Sequence, residues 1–298
     1  MSKCLIITYG FFGDIFFQSS IAKKLKEEKK FDVVDYVVAF PQIYRLLSNN
    51  PYIDKVILVS PPTSFPTVGE KTYKEYDSVM RMKEFSFIDP PPMECQKWAG
   101  IENPDTEFTI YTNEFYDEIA KKIIEDIRNE NGKKVIAIPA DWKERTFSFT
   151  REEYEIGKNS SDSTGYGGKR RDVDKIKDSL RKVFNIVDVG LPIHIKQAST
   201  ANVPDDDVGS VLFGCSILKY CDAFVGSEGG QCNMASGVGT KTIITGDFVH
   251  QLYGWNGALK KVKEPKLGPI HYFKDKGHVV LDPYLTDEQV TEEIIKNV

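Results

Sequence analysis

Three short segments combine glycine with charged or amide side chains where a strand is expected to give way to a helix. The first is Gly10, Phe11, Phe12, Gly13 and Asp14. Its glycines let the backbone approach a ligand, and the N-terminus of the following helix favours negative charge. Asp14 stands at the carboxyl edge of the first strand, where open α/β sheets bind ligands. It suits two roles: a helix cap, which position alone favours, or a carboxylate acting on substrate. The segment is neither the Gly-x-Gly-x-x-Gly dinucleotide fingerprint nor a Gly-x-x-x-x-Gly-Lys phosphate loop. The second segment is Ser227, Glu228, Gly229, Gly230, Gln231, Cys232 and Asn233. Two glycines before a helix free backbone amides to face a diphosphate, and Glu228 can accept hydrogen bonds from a ribose. An ordinary strand-to-helix turn would read the same way. The third is Gly167, Gly168, Lys169, Arg170 and Arg171. Its adjacent cations suit a diphosphate leaving group, or simply a solvated charged surface.

Other candidates carry less. Asp205, Asp206 and Asp207 invite a metal reading, but they precede a helix and complement its dipole there. The five cysteines (Cys4, Cys95, Cys215, Cys221 and Cys232) include no Cys-x-x-Cys pair, and they read as reduced, buried thiols. Cys232 lies within the second segment, where packing suits it better than nucleophilic chemistry because no base partner is evident. The four histidines (His194, His250, His271 and His278) are dispersed, and no Ser-His-Asp or Cys-His set is visible.

The elements that must position these segments follow from hydrophobic periodicity. Strands are expected at residues 3–8, 35–40 and 55–59, with helices at 15–30 and 43–47 between them. Proline-rich stretches interrupt residues 60–110, where a strand at 77–82 and a helix at 93–100 are expected. A strong helix spans 114–129, with Phe115, Ile119, Ile123 and Ile127 along one stripe and Asn131-Gly132 ending it. A second series follows: strand 135–139, helix 172–184, helix 205–220, strand 223–226, helix 230–238, strand 242–245 and a terminal helix 286–296. Residues 149–168 have no periodicity and read as a long mobile loop. Doubled β/α alternation predicts parallel sheets with right-handed crossovers.

With 298 residues, 41% hydrophobic and 28% charged, the chain suits two soluble domains with real cores. A net charge of -5 gives no basis for nucleic acid as a partner. No apolar run is long enough to span a bilayer, and the N-terminus lacks the pattern of a signal peptide. The expected location is cytoplasmic.

Several motifs, in order, resemble the heptosyltransferase family of GT-B glycosyltransferases. Gly13-Asp14 precedes a helix that ends in Ala22, Lys23, Lys24 and Leu25, and Asn50-Pro51-Tyr52-Ile53-Asp54-Lys55-Val56-Ile57 follows. Lys169 to Lys175 resembles the family's Lys-x-Trp-Pro helix start, with Arg171 where Trp is usual. Cys221 to Lys241 carries Glu228-Gly229-Gly230, with Asn233 where the family usually has His. The resemblance implies an α/β chain of the GT-B class, two Rossmann-like domains facing across a cleft. Residues 1–113 would bind the acceptor through Gly10, Phe11, Phe12 and Gly13. Residues 114–134 would form a linker helix and hinge, and 135–285 would bind the nucleotide sugar. Helix 286–298 would pack back on the first domain. Asp14 would be the general base of an inverting transfer, and at its ordinary pKa of about 3.9 an Asp is ionised at neutral pH. Lys169, Arg170, Glu228, Gly229, Gly230 and Asn233 would hold the donor nucleotide and diphosphate. No metal or cofactor is implied beyond the nucleotide-diphosphate sugar as co-substrate. The other partner would be a glycan or lipid-linked acceptor, with peripheral membrane contact and oligomeric state left open. Two alternatives stay open: a catalytically inactive nucleotide-sugar-binding scaffold, and a GT-B-fold sugar epimerase.

Overall fold

A computed structural model of the chain describes residues 1–10, 12–28, 30–59, 73–83, 85, 89–140, 142, 171–189, 211–227, 229–245, 268–282 and 285–298. Two separate parallel sheets form. Lys3–Ile7 (β1), Val33–Val38 (β2), Lys55–Leu58 (β3) and Ser78–Arg81 (β4) pair in the order β3-β2-β1-β4. Val135–Pro139 (β5), Asn185–Val189 (β6), Ala223–Gly226 (β7), Thr242–Ile244 (β8) and Val279–Val280 (β9) pair in the order β6-β5-β7-β8-β9. In the first sheet the order reverses between β1 and β4, and in the second between β5 and β7. Ligands of open α/β sheets bind outside the carboxyl ends of strands at such switch points. The Gly10–Asp14 segment leaves β1 at one of them, and the segment from Ser227 leaves β7 at the other.

The helices are Phe12–Gln18 (α1), Ser20–Glu27 (α2), Pro41–Leu47 (α3), Pro91–Trp98 (α4), Glu114–Asn129 (α5), Val173–Arg181 (α6), Val211–Tyr220 (α7), Gly230–Gly237 (α8), Gly268–Asp275 (α9) and Asp287–Asn297 (α10). The single helix expected at 15–30 is broken at Ser19. The hydroxyls of Ser19 and Ser20 turn back to the carbonyls of Phe16 and Phe17, each at 2.7 Å, competing with the helical ladder. Asn113 caps α5 by accepting from the Tyr116 amide, and Tyr116, Ala120, Ile123, Ile124 and Ile127 form its buried line. Phe115, expected in that line, stands 54% exposed, because the true stripe begins one residue later. The helix expected at 172–184 ends at Arg181, Val183 faces solvent, and β6 follows directly. α7 is buried on all sides from Val211 to Leu218, since α5, α3 and α8 all pack on it. The long loop at 149–168 and the Asp205–207 run lie outside the described residues. No helix among the described residues is long and apolar enough to cross a membrane.

The terminal helix corrects one expectation. Instead of returning to the first sheet, α10 packs on α6 and the second sheet. Val290 and Ile294, one helical turn apart, are fully buried with Ile136, Ile138, Ile176, Leu180, Val225 and Ile243. A capping box between Thr286 and Gln289 starts the helix. Arg171 supplies the polar tie: Nη1 donates to the Leu285 carbonyl at 2.8 Å and lies 3.3 Å from the Asp287 carboxylate. Its side chain is only 1% exposed. Arg171 therefore belongs to the fold, which removes one cation from the run that suited a diphosphate.

The foot of α8 is held by a polar cluster. The Thr242 amide donates to His278 Nδ1 at 3.2 Å, so the imidazole proton sits on Nε2, which donates to Ser236 Oγ at 2.8 Å. Tyr272 shares the same Oγ at 2.8 Å. In this tautomer His278 cannot take the Ser236 proton, so the pair is no nucleophilic dyad. Burial, and then the Lys276 ammonium, push the His278 pKa down to about 4.

Replacing Arg171 with Ala should lower the unfolding free energy by about 3 kcal/mol in urea titrations, as expected for breaking a buried charged tie. Lys175→Ala, which removes only the exposed pair with Glu288, should change little. The His278 shift sets a pH dependence. Its folded pKa lies below the ordinary 6.5, so the unfolded chain binds the proton first. Stability should fall as pH drops from about 6.5 toward 4, by on the order of 2 kcal/mol once solvent screening of the half-buried ring is allowed for. His278→Asn, which keeps an acceptor toward Thr242, should flatten that part of the curve of melting temperature against pH.

Candidate active site

The Gly10–Asp14 segment is anchored at both ends. Thr8 Oγ1 donates to the Val37 carbonyl at 2.9 Å, fixing the end of β1 to β2. Gln18, fully buried at the end of α1, pairs its amide with the backbone of Tyr9. The Tyr9 amide donates to Gln18 Oε1 at 3.0 Å, and Gln18 Nε2 donates to the Tyr9 carbonyl at 2.7 Å. Tyr36 OH, from β2, donates to the Gln18 carbonyl at 3.0 Å. The segment is thus a loop tied across its base, with α1 as one side. Sequence reasoning did not single out Gln18. The available signal was one amide side chain directly after the apolar Ile15, Phe16 and Phe17.

Within this loop Gly10 has φ of +92°, which L side chains rarely adopt, and a Cβ there would lie 2.3 Å from Asp14 Oδ2. The Asp14 carboxylate therefore folds back over Gly10, in the first turn of α1 and half-buried. It also faces α4: burial, then the carboxylates of Glu94 and Asp14, push the Cys95 thiol well above its ordinary value. In the first turn Asp14 complements the helix dipole as a cap would, and it stands beside the switch point of the first sheet.

The opposing side is α8. Its register is set by three contacts. Gln231 Nε2 donates to the Val189 carbonyl at the end of β6, at 3.1 Å. Gly226 lies so close to β5 that a Cβ on it would come within 2.9 Å of Pro139 Cγ. The Ile110 amide donates to the Gly237 carbonyl at 2.8 Å, with Phe108 and Ile110 filling the space where a Gly237 side chain would go. Cys232 is fully buried within α8, as packing rather than chemistry requires.

The two sides meet. α1 packs on α8, and the contact runs first turn to first turn. A Cβ placed on Gly13 would lie 2.7 Å from Asn233 Nδ2 and 3.5 Å from Gly230 Cα. Behind this seam, Phe17 of α1 stacks edge-on against Phe108 and Tyr272 at centroid distances of 5.2 and 5.5 Å. Asn233 is buried, and its Oδ1 has no hydrogen-bond partner among the described residues.

Of the residues singled out in sequence, the structure brings Gly10, Gly13 and Asp14 to one side of this seam and Gly229, Gly230 and Asn233 to the other. Phe11, Lys169, Arg170, Glu228 and the side chain of Phe12 lie outside the described residues.

No family model matches the sequence, and no curated protein matches it. Solved structures do. A glycosyl transferase family 9 protein from Veillonella parvula superposes with a TM-score of 0.55 at 11% identity, covering 99% of this chain and 95% of that one. Escherichia coli ADP-heptose lps heptosyltransferase II gives 0.53 at 10% identity, covering 99% and 98%. The dodecameric iron-containing heptosyltransferase TibC, solved in complex with ADP-D-beta-D-heptose, gives 0.53 at 11% identity, covering 99% and 75%. Together with the two parallel sheets, these likenesses identify the fold of the chain as the two-unit α/β fold of the heptosyltransferases, the GT-B architecture.

Proposed function

We propose that the chain is an inverting, metal-independent glycosyltransferase that moves a sugar from a nucleotide-diphosphate donor to a hydroxyl of a glycan or glycolipid. One observation carries this reading: the Asp14 loop, at the switch point of the first sheet, meets the first turn of α8, at the switch point of the second. A donor whose diphosphate rests on the N-terminal amides of α8 would present its anomeric carbon toward the α1 side. The likeness to heptosyltransferase structures supports the same class of reaction.

In this reading the acceptor hydroxyl attacks the anomeric carbon from the face opposite the diphosphate. The new C–O bond forms as the bond to the phosphate oxygen breaks, which inverts the anomeric centre. The hydroxyl proton passes to Asp14, and the diphosphate leaves with the bonding electron pair. Lys169 and Arg170 offset the charge that develops on it, together with the amides at Gly229 and Gly230, while Glu228 holds the ribose. The division of labour follows the chain: residues 1–113 take the acceptor, and 135–285 take the donor.

Two outcomes test the proposal. Asp14→Asn keeps a side chain that caps helices about as well as Asp. It should leave melting temperature and nucleotide affinity unchanged while kcat falls by about 10² to 10⁴. Turnover within about threefold of the unsubstituted protein would remove Asp14 from the mechanism. Separately, Lys169→Ala should weaken nucleotide-diphosphate binding in calorimetry, and EDTA should leave it intact. Loss of binding with EDTA, alongside full binding by Lys169→Ala, would contradict the proposed donor site.

A further inference from the structure

We propose that Asn233 is a positioning residue: from the first turns of α8, its side-chain amide packs on the bare Cα of Gly13. It thereby sets where the first turn of α1, and Asp14 within it, stands relative to the α8 N-terminus. The bearing of this contact on catalysis rests on the reading of Asp14 as the base; the contact itself does not.

Two independent observations lead here. The first is Gly13. It lies in the first turn of α1, where glycine costs up to about 1 kcal/mol relative to alanine. Its backbone does not explain that cost, because Gly13 is not among the glycines of positive φ. What alanine would meet is Asn233 Nδ2, 2.7 Å from the new methyl group, closer than real Cβ contacts come. With this Asn233 rotamer a side chain at position 13 has no room, and Asn233 is the side chain that approaches. The second observation is Asn233 itself. It is 4% exposed, and Oδ1 is buried without a partner among the described residues. A buried amide oxygen without a donor is costly, so core packing alone does not account for an Asn here. The amide faces the first turn of α1 where that helix packs on α8. The backbone at Asn233 has little freedom to move, because α8 is pinned at both ends, and the side chain is itself only 4% exposed.

A four-variant cycle tests this without any substrate: the unsubstituted chain, Gly13→Ala, Asn233→Ala and the pair together. In the presence of Asn233, Gly13→Ala should lower the melting temperature by about 2 °C or more, because the methyl group has no room. In the Asn233→Ala background the same change should raise it by about 2 °C, since only the helix preference for alanine remains. Hydrogen exchange reads the positioning directly. Asn233→Ala should speed exchange of residues 9–18 about threefold or more while β2 is unaffected. An Asn that served only its own helix would alter exchange near residues 229–240 and leave 9–18 unchanged. The proposal is overturned if Gly13→Ala shifts melting in the same direction in both backgrounds, or if exchange at 9–18 does not respond. Absence of glycosyl transfer would count against the functional reading alone, because neither measurement involves a sugar.

Discussion

The arrangement depends on one close approach, the first turn of α1 against the first turn of α8 at Gly13. In a parallel sheet every strand delivers its chain to the same edge, and every following helix starts there. Two such sheets, turned so that these edges meet, bring loops, helix N-termini and switch points together. Both helices then direct the positive ends of their dipoles to one place. α1 carries an acidic residue in its first turn, Asp14, and α8 carries none in its own. Among the described residues, the first turn at this edge on the second sheet therefore lacks the acidic side chain that the first sheet's helix carries.

The rest of the structure keeps that approach in register. Gln18 and Tyr36 fix the loop before α1 to the first sheet. Gln231, Ser236 and His278 fix α8 to the second. Between them, Phe17, Phe108 and Tyr272 make the contact behind the seam apolar and aromatic. Apolar burial there holds the two units together, while polar groups at the front set their spacing. Arg171 and α10 serve a different purpose, closing the outer face of the second sheet, where Val290 and Ile294 complete its core.

The sequence made the sheets legible because buried parallel strands are short apolar runs bounded by glycine or charge, and β1, β5 and β7 are such runs. It made α8 legible for the same reason: glycines precede a helix directly after a strand. β6 was missed because Asn185–Val189 begins directly after the stretch read as helix to 184, with no turn signal to mark a new element. Gln18 and His278 were missed because their partners are distant in sequence or on the backbone, and spacing cannot reveal such bonds. Arg171 looked like part of a surface cation run, and only its tertiary tie to Leu285 and Asp287 assigns it to the fold. The position of α10 was inherited from a resemblance, and the apolar pair Val290 and Ile294 decided otherwise.

A nucleotide diphosphate bound at the start of α8, as proposed, lies across the seam from the Asp14 loop. Hydrogen–deuterium exchange with and without ADP, UDP or GDP, taking the one that raises the melting temperature most, tests it directly. Strong protection of the amides at 229–233 is expected, with weaker protection at 9–14 and β2 and β3 unchanged. Protection elsewhere in the chain, with 229–233 exchanging as in the free protein, would contradict it.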